Sequence, residues 1–285
     1  MTEERIHKRR LLLRRKGVKK IKPIDKESSV SEEPKKGFYL FPNLLTSASL
    51  LCGFYSITAS YNGNFLRAAW AVFLALVFDG LDGKVARLTK TTSKFGVQYD
   101  SLSDLISFGA APGILIYNFA LKYVFQPSIG FVVAFLYVLC GALRLARFNV
   151  QTETADKRYF SGLAIPAGAC NLVFTVLFFE EFGWVNTVGH STTPNLLLIW
   201  TLIISLLMVS TFKYWSFKDV DLFRQRPLST LLLAVIMVAL AIEEPYIIGF
   251  WFFIGYTLSG PVGAIIRKRK VHRSAMKAPP ASGAS

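Results

Sequence analysis

Long apolar runs restrict the fold of this chain more than any other feature. Eight can be read, near 39–61, 65–83, 97–121, 127–148, 165–183, 194–212, 228–243 and 246–266, with short polar stretches between them. Each is close to the ~20 residues a helix needs to cross a hydrocarbon core. Backbone groups in lipid must be satisfied within their own segment, so the runs predict an all-α integral membrane bundle of about eight transmembrane helices. A composition that is 52% hydrophobic and a mean hydropathy of +0.40 agree with that class. The seventh run is short, and Gly109 and Pro112 interrupt the third.

The formal charge of +15 does not point to nucleic acid, because the cations are sorted by side. Of 33 Lys and Arg, 13 precede residue 37 and 6 follow residue 266, and the loops after the second, fourth and sixth runs hold 4 each. Only Arg67 and Lys122 fall on the opposite side, together with Glu180, Glu181, Glu243 and Glu244. The positive-inside rule then predicts an even number of spans in the cell's inner, cytoplasmic membrane, with both termini cytoplasmic.

Three segments follow: a basic tail over 1–37, a transmembrane bundle over 38–266, and a basic tail over 267–285 expected to be disordered. The first tail, with Arg9-Arg10 and Arg14-Arg15-Lys16, suits either contact with anionic head groups or a solvated topology determinant. Leu11-Leu12-Leu13 is too short for the apolar core of a cleavable signal. Cys52, Cys140 and Cys170 lie inside the runs without paired spacing and read as small buried hydrophobes. His7, His190 and His272 fall in tails or the outer loop, which argues against a histidine metal site or a nucleophilic triad.

Against this background Asp79, Asp82, Asp100 and Asp104 are anomalous: four carboxylates carried inside apolar runs, within one stretch of 26 residues. Each costs roughly 2.5–3.5 kcal/mol on insertion scales, so such residues mark functional sites. Asp79, Asp82, Gly83, Ala86, Arg87 and Lys90 share one helical face. Gly96, Asp100, Ser103, Asp104 and Ser107 share another on the next helix. Two such faces on antiparallel neighbours can gather all four carboxylates near the ends joined by the basic loop 84–94, opening towards the cytosol.

Carboxylate-rich ligation without His or Cys suits a hard cation, Mg²⁺ or Mn²⁺. Such ions serve phosphate chemistry by neutralising and orienting phosphate oxygens, in pairs where two oxygens must be stabilised. Gly83, Ala86 and Gly96 leave room for a ligand against the backbone, and Arg87 can donate bidentate hydrogen bonds to a phosphate. A purely structural ion network is a poor alternative, with only Arg87 and Lys84 to balance four carboxylates.

The pattern Asp79-x2-Asp82-Gly83-x2-Ala86-Arg87-x8-Gly96-x3-Asp100-x3-Asp104 resembles the signature of the CDP-alcohol phosphotransferases at every defined position. The resemblance implies a helical-bundle membrane enzyme, a homodimer, that moves a phosphatidyl or related group from a CDP-linked donor to an alcohol and releases CMP. It implies that Asp79, Asp82, Asp100 and Asp104 surround two divalent ions and that Asp104 is also the general base. It further implies that Gly83, Ala86, Arg87 and Gly96 contact the nucleotide and pyrophosphate. Asn43 and Thr46, in Pro42-Asn43-Leu44-Leu45-Thr46, match another family element. They suit either the nucleotide or the capping of a helix start.

The carboxylates do not choose the alcohol. Leu139-Cys140-Gly141-Ala142-Leu143-Arg144-Leu145-Ala146-Arg147-Phe148-Asn149 resembles a segment of phosphatidylserine synthases, as do Phe160-Ser161-Gly162-Leu163-Ala164-Ile165-Pro166 and Leu207-Met208-Val209-Ser210. Ala164 departs from the proline usual there. This likeness implies CDP-diacylglycerol and L-serine as substrates, with Arg144, Arg147 and Asn149 about the serine carboxylate. The same arginines also suit interfacial anchors. Glycerol phosphate, inositol phosphate and choline are the alternative acceptors. A cation-coupled transporter is disfavoured, because it predicts carboxylates at the midplane repeated in two related halves.

Overall fold

The computed structural model describes residues 40–89, 93–151, 160–183, 192–214 and 243–277. Helices α1 (Leu40–Tyr61) and α2 (Phe65–Leu88) form an antiparallel hairpin. It turns through Gly63, whose φ of 75° belongs to the left-handed region that closes many helix ends. The two helices approach closely because α2 presents Ala68, Ala69, Ala71, Val72 and Ala75 to the interior. The Ser49 hydroxyl donates across the seam to the Ala75 carbonyl, at 3.1 Å.

The third apolar run is a single path of three parts: α3 (Lys94–Asp104), a π-helical turn (Leu105–Ala110) and α4 (Ala111–Phe119). The expected interruption at Gly109 and Pro112 takes this form. Proline offers no N–H and its ring crowds the carbonyl four residues back, and a wider turn just before it relieves both. A short 3₁₀ turn, Leu121–Tyr123, leads into α5 (Pro127–Gln151). Gly130 of α5 packs directly on the Leu121 backbone, where a β-carbon would collide.

Helices α6 (Ile165–Glu181), α7 (Thr193–Val209) and α8 (Pro245–Lys277) complete the described bundle. One departure from the all-α expectation is a two-residue antiparallel ladder between β1 (Phe160–Ser161) and β2 (Lys213–Tyr214). Gly162, at φ 83°, lets the chain leave that ladder against the Met208 and Ser210 carbonyls. Asn171 of α6 fastens α8, donating to Thr257 Oγ1 at 2.8 Å and to the Phe253 carbonyl at 3.0 Å. Its own oxygen accepts from Trp200 Nε1 of α7 at 2.9 Å. Bonds of this kind between membrane helices contribute roughly 0.6 kcal/mol on average, up to about 2.

Seven of the eight expected spans coincide with these helical segments; the seventh, 228–243, lies outside the described residues except for its last residue, and the first tail and residues 278–285 lie outside them too. Phe95–Tyr123, Pro127–Val150 and Pro245–Ile266 are long and apolar enough to cross a membrane, and Thr193–Val209 is a shorter apolar helix. These segments mark a membrane protein. Helix α8 corrects one expectation: residues 267–277, read as the start of a disordered tail, continue the helix. Arg267, Lys268, Arg269 and Lys270 are good helix formers and carry the helix on past the apolar run.

Candidate active site

Helical spacing on α2 and α3 brings the carboxylates together as expected. Asp79, Asp82 and Asp100 each offer an oxygen, and the three oxygens lie within 4.8 Å of one another. Asp104 approaches Asp79 to hydrogen-bonding distance. Unit charges this close repel by roughly 4 kcal/mol per pair at an effective dielectric of 20, so an ionised cluster calls for a cation. The hydrogen-bond inventory points the same way. Asp100 Oδ1 and Asp104 Oδ1 are buried and accept no hydrogen bond among the described residues. Buried oxygens in such a state demand explanation, and a hard cation among oxygen ligands fits this donor set.

Helix α1 supplies the support that spacing alone did not reveal. The Thr46 hydroxyl donates to Asp82 Oδ2 at 2.6 Å, across 36 residues of sequence. Thr46 is 5% exposed, so its hydroxyl serves the carboxylate first, although its side chain also borders the cleft described below. Ser103 of α3 and Ser107 of the π-helical turn donate to the Thr46 and Ser49 carbonyls, at 3.1 and 3.0 Å. Gly53 permits that approach: a β-carbon there would stand 2.6 Å from Ser107 Oγ and 2.7 Å from its Cα. The two serines that share a face with Asp100 and Asp104 are therefore clamps on α1.

A cleft of about 250 Å³ opens beside the cluster. Asp82, Gly83, Ala86 and Arg87 line it from α2, Gly96 and Asp100 from α3, and Asn43 and Thr46 from α1. The expected nucleotide contacts thus share one space with two of the carboxylates. Ser93, with extended backbone, caps α3 by accepting from Gly96 N at 2.9 Å. Ser93 escaped the sequence reading, although a serine three residues before a helical glycine is an ordinary start signal. Arg87 is exposed at the rim and its Nε donates to the Gly83 carbonyl at 2.8 Å. That bond lays the guanidinium along the helix that carries Asp79 and Asp82.

The three acceptor candidates on α5 part company. Arg144 turns inward, its Nε buried without a hydrogen-bond partner among the described residues, within Coulombic range of Asp104 and of Tyr256 on α8. Arg147 instead reaches the end of α7, 3.5 Å from the Val209 carbonyl. Asn149 donates to Ser101 Oγ of α3 at 3.0 Å. Sequence spacing placed Arg144 and Arg147 on one helix face; packing brings only Arg144 towards the carboxylates.

Residues 39–207 match the family model described as CDP-alcohol phosphatidyltransferase. The chain is 44% identical over 187 residues to the CDP-diacylglycerol–serine O-phosphatidyltransferase of Helicobacter pylori strain ATCC 700392 / 26695, covering 66% of this chain and 76% of that protein. It is 41% identical over 148 residues to the enzyme of the same name from Methanocaldococcus jannaschii, covering 52% and 63%. With the archaetidylserine synthase of Methanothermobacter thermautotrophicus it shares 38% over 179 residues, covering 62% and 70%. The family is metal-dependent, in keeping with the carboxylate cluster. The matched segment holds all four carboxylates, Arg144 and the Thr46 hydroxyl that meets Asp82, and the chain belongs to the CDP-alcohol phosphatidyltransferase family.

Proposed function

We propose that this protein transfers a phosphatidyl group from CDP-diacylglycerol to the hydroxyl of L-serine, giving phosphatidylserine and CMP. The observation that carries this reading is the carboxylate trio within 4.8 Å beside a cleft bordered by Arg87, in a chain whose relatives are named for serine transfer. The archaeal relative named for archaetidylserine points to the same acceptor with a different lipid. The reaction proceeds at head-group depth on the cytosolic side, with both termini cytoplasmic, as the sorted cations support. Family membership supports a homodimer surrounded by membrane lipid.

Asp79, Asp82, Asp100 and Asp104 would hold Mg²⁺ or Mn²⁺, two ions in all. When bound, the metal supplies charge neutralisation on the pyrophosphate. Gly83, Ala86 and Gly96 let the nucleotide lie close to the backbone, with Asn43 and Thr46 beside it and Arg87 donating to the pyrophosphate. Asp104 accepts the proton of the serine hydroxyl, whose pKa lies far above neutrality. The serine oxygen forms a bond to the lipid-bearing phosphorus as the bond to the CMP oxygen breaks, in one in-line displacement. Arg144 holds the serine carboxylate, with Arg147 and Asn149 bordering its approach.

The test is CMP release by purified protein given CDP-diacylglycerol, Mg²⁺ or Mn²⁺, and each alcohol in turn. Release with serine, abolished by a chelator and restored by either ion, is expected. Release with glycerol phosphate, inositol phosphate or choline but not serine overturns the acceptor, and no release with any alcohol overturns the enzyme.

A further inference from the structure

Asn43 borders the cleft from the first turn of α1, which begins at Leu40. It meets Gly96 of α3 there, since a β-carbon on Gly96 would lie 3.5 Å from Asn43 Oδ1. First turns lack part of their intrahelical hydrogen bonding and open most easily. A ligand contact carried on one needs an outside support. We infer that Tyr99 gives that support: it is a positioning residue for the nucleotide, acting through Ser47 to hold Asn43 against Gly96. This inference rests on the proposed nucleotide cleft and adds two residues that do not line it.

Ser47 Oγ donates to the Asn43 carbonyl at 2.8 Å and lies 2.8 Å from the Tyr99 hydroxyl. A serine hydroxyl has one proton and a carbonyl can only accept it, so Tyr99 is the donor to Ser47. A directed chain of two bonds therefore runs from the Tyr99 hydroxyl through Ser47 to the backbone of Asn43. It joins α3 to α1 across 52 residues of sequence, and linked bonds of this kind polarise one another. Phe95, one turn earlier on α3, stacks on the Tyr99 ring with centroids 5.9 Å apart and planes 12° from parallel. That stack restricts the swing of the phenol.

Gly96, Val97 and Asp100 of α3 line the cleft, while Tyr99 stands on the neighbouring face and acts from behind it. A tyrosine near a membrane surface ordinarily turns its hydroxyl to the head groups. Here the side chain is half-buried and its hydroxyl is spent on another helix. Ligand contacts must be held within about 0.5 Å to be effective, so a first turn free to shift would misplace the Asn43 amide. Thr46 is fixed separately by its 2.6 Å bond to Asp82, which leaves the carboxylate support independent of Tyr99.

The test is the affinity of the full chain in detergent for CMP with Mg²⁺, read by calorimetry, in the parent, Tyr99→Phe, Asn43→Ala and the double variant. Tyr99→Phe keeps the ring on Phe95 and removes only the hydroxyl. Its Kd for CMP should rise about 5-fold, the size of one hydrogen bond. In the Asn43→Ala background the same change should alter the Kd by less than about 2-fold, because the two residues act as one unit. Ser47→Ala should cost as much as Tyr99→Phe and add nothing to it. Mg²⁺ affinity without nucleotide and the thermal midpoint should hold. An unchanged Kd in Tyr99→Phe leaves only an interfacial anchor and overturns the inference. Full additivity with Asn43→Ala overturns it, as does a loss of Mg²⁺ affinity equal to the loss for CMP. Binding is read without turnover, so a parent that binds CMP yet releases none with any alcohol loses the transfer reading alone, and the same Kd values still judge Tyr99. A parent that binds no CMP overturns the nucleotide cleft and this inference together.

Discussion

The packing of α1 against α2 and α3 and the packing of α8 against α6 occur in one bundle but are made by different means. Around the carboxylates the contacts are small residues and hydroxyls: Gly53 under Ser107, Ser103 on the Thr46 carbonyl, Thr46 on Asp82. Between α6 and α8 they are mostly rings: Phe174 stacks on Phe253 at 5.3 Å and Phe178 on Phe250 at 4.3 Å, and Gly249 abuts Phe174. Ring stacking buries much area in lipid-like surroundings with tolerance for small shifts. Carboxylates admit no such tolerance, since their oxygens must be met at hydrogen-bond or metal-ligand distance. The polar half is therefore built for position, and the aromatic half for adhesion.

Asp104→Asn should break this contrast most sharply. CMP release is expected to fall roughly 10²–10⁴-fold, the contribution of a positioned base. The thermal midpoint should hold or rise, because a like charge beside Asp79 is gone. Full turnover in that variant would remove the proposed base. A smaller effect belongs to Thr46→Val, which keeps the shape and deletes the donor to Asp82. Groups that orient metal ligands typically govern about 10–100-fold of metal affinity, so the Mg²⁺ or Mn²⁺ concentration for half-maximal rate should rise by that factor. An unchanged metal titration would reduce Thr46 to a helix clamp.

Two glycine variants compare the halves directly. Gly53→Ala and Gly249→Ala each force a β-carbon into an occupied site, at a cost of about 1–3 kcal/mol in stability. Both should lower the midpoint in thermal unfolding. Gly53→Ala should also weaken the metal requirement's steepness and the rate, because Ser107 lies on the helix path that carries Asp104. Gly249→Ala should leave the metal titration intact, its neighbour being the yielding Phe174 ring. Equal losses of activity would erase the distinction between the halves. The smallest effect is expected of Ala164→Pro. Ala164 already sits at φ −62° and ψ 139°, just ahead of α6, which is the φ that proline imposes. A gain of about 0.4–1 kcal/mol should appear as a raised midpoint, with activity unchanged.

Much of the site was legible because its logic is local. Asp79 and Asp82, and Asp100 and Asp104, are turns apart on single helices, and a period of 3.6 residues puts each pair on one face whatever the neighbours do. The cluster's orphaned oxygens agree with the cation that residue types alone suggested. The π turn was visible only as an interruption at Gly109 and Pro112, since how a helix absorbs a proline depends on what surrounds it. The separation of Arg144 from Arg147 was not legible at all. They are three residues apart on α5, and only the positions of α3, α7 and α8 decide which one turns inward.

The sequence by itself determined the class of fold, the places of the described helices and the composition of the cluster, because apolar length and helical period act within a single segment. Tertiary structure decided the rest: that Thr46 answers Asp82, that Ser103 and Ser107 clamp α1, that Phe160–Ser161 pairs with Lys213–Tyr214, and that Asn171 fastens α8 through Thr257. Each of these joins residues tens of positions apart. Such contacts follow from how helix faces interlock, a property of the assembled bundle that no periodicity along one helix records.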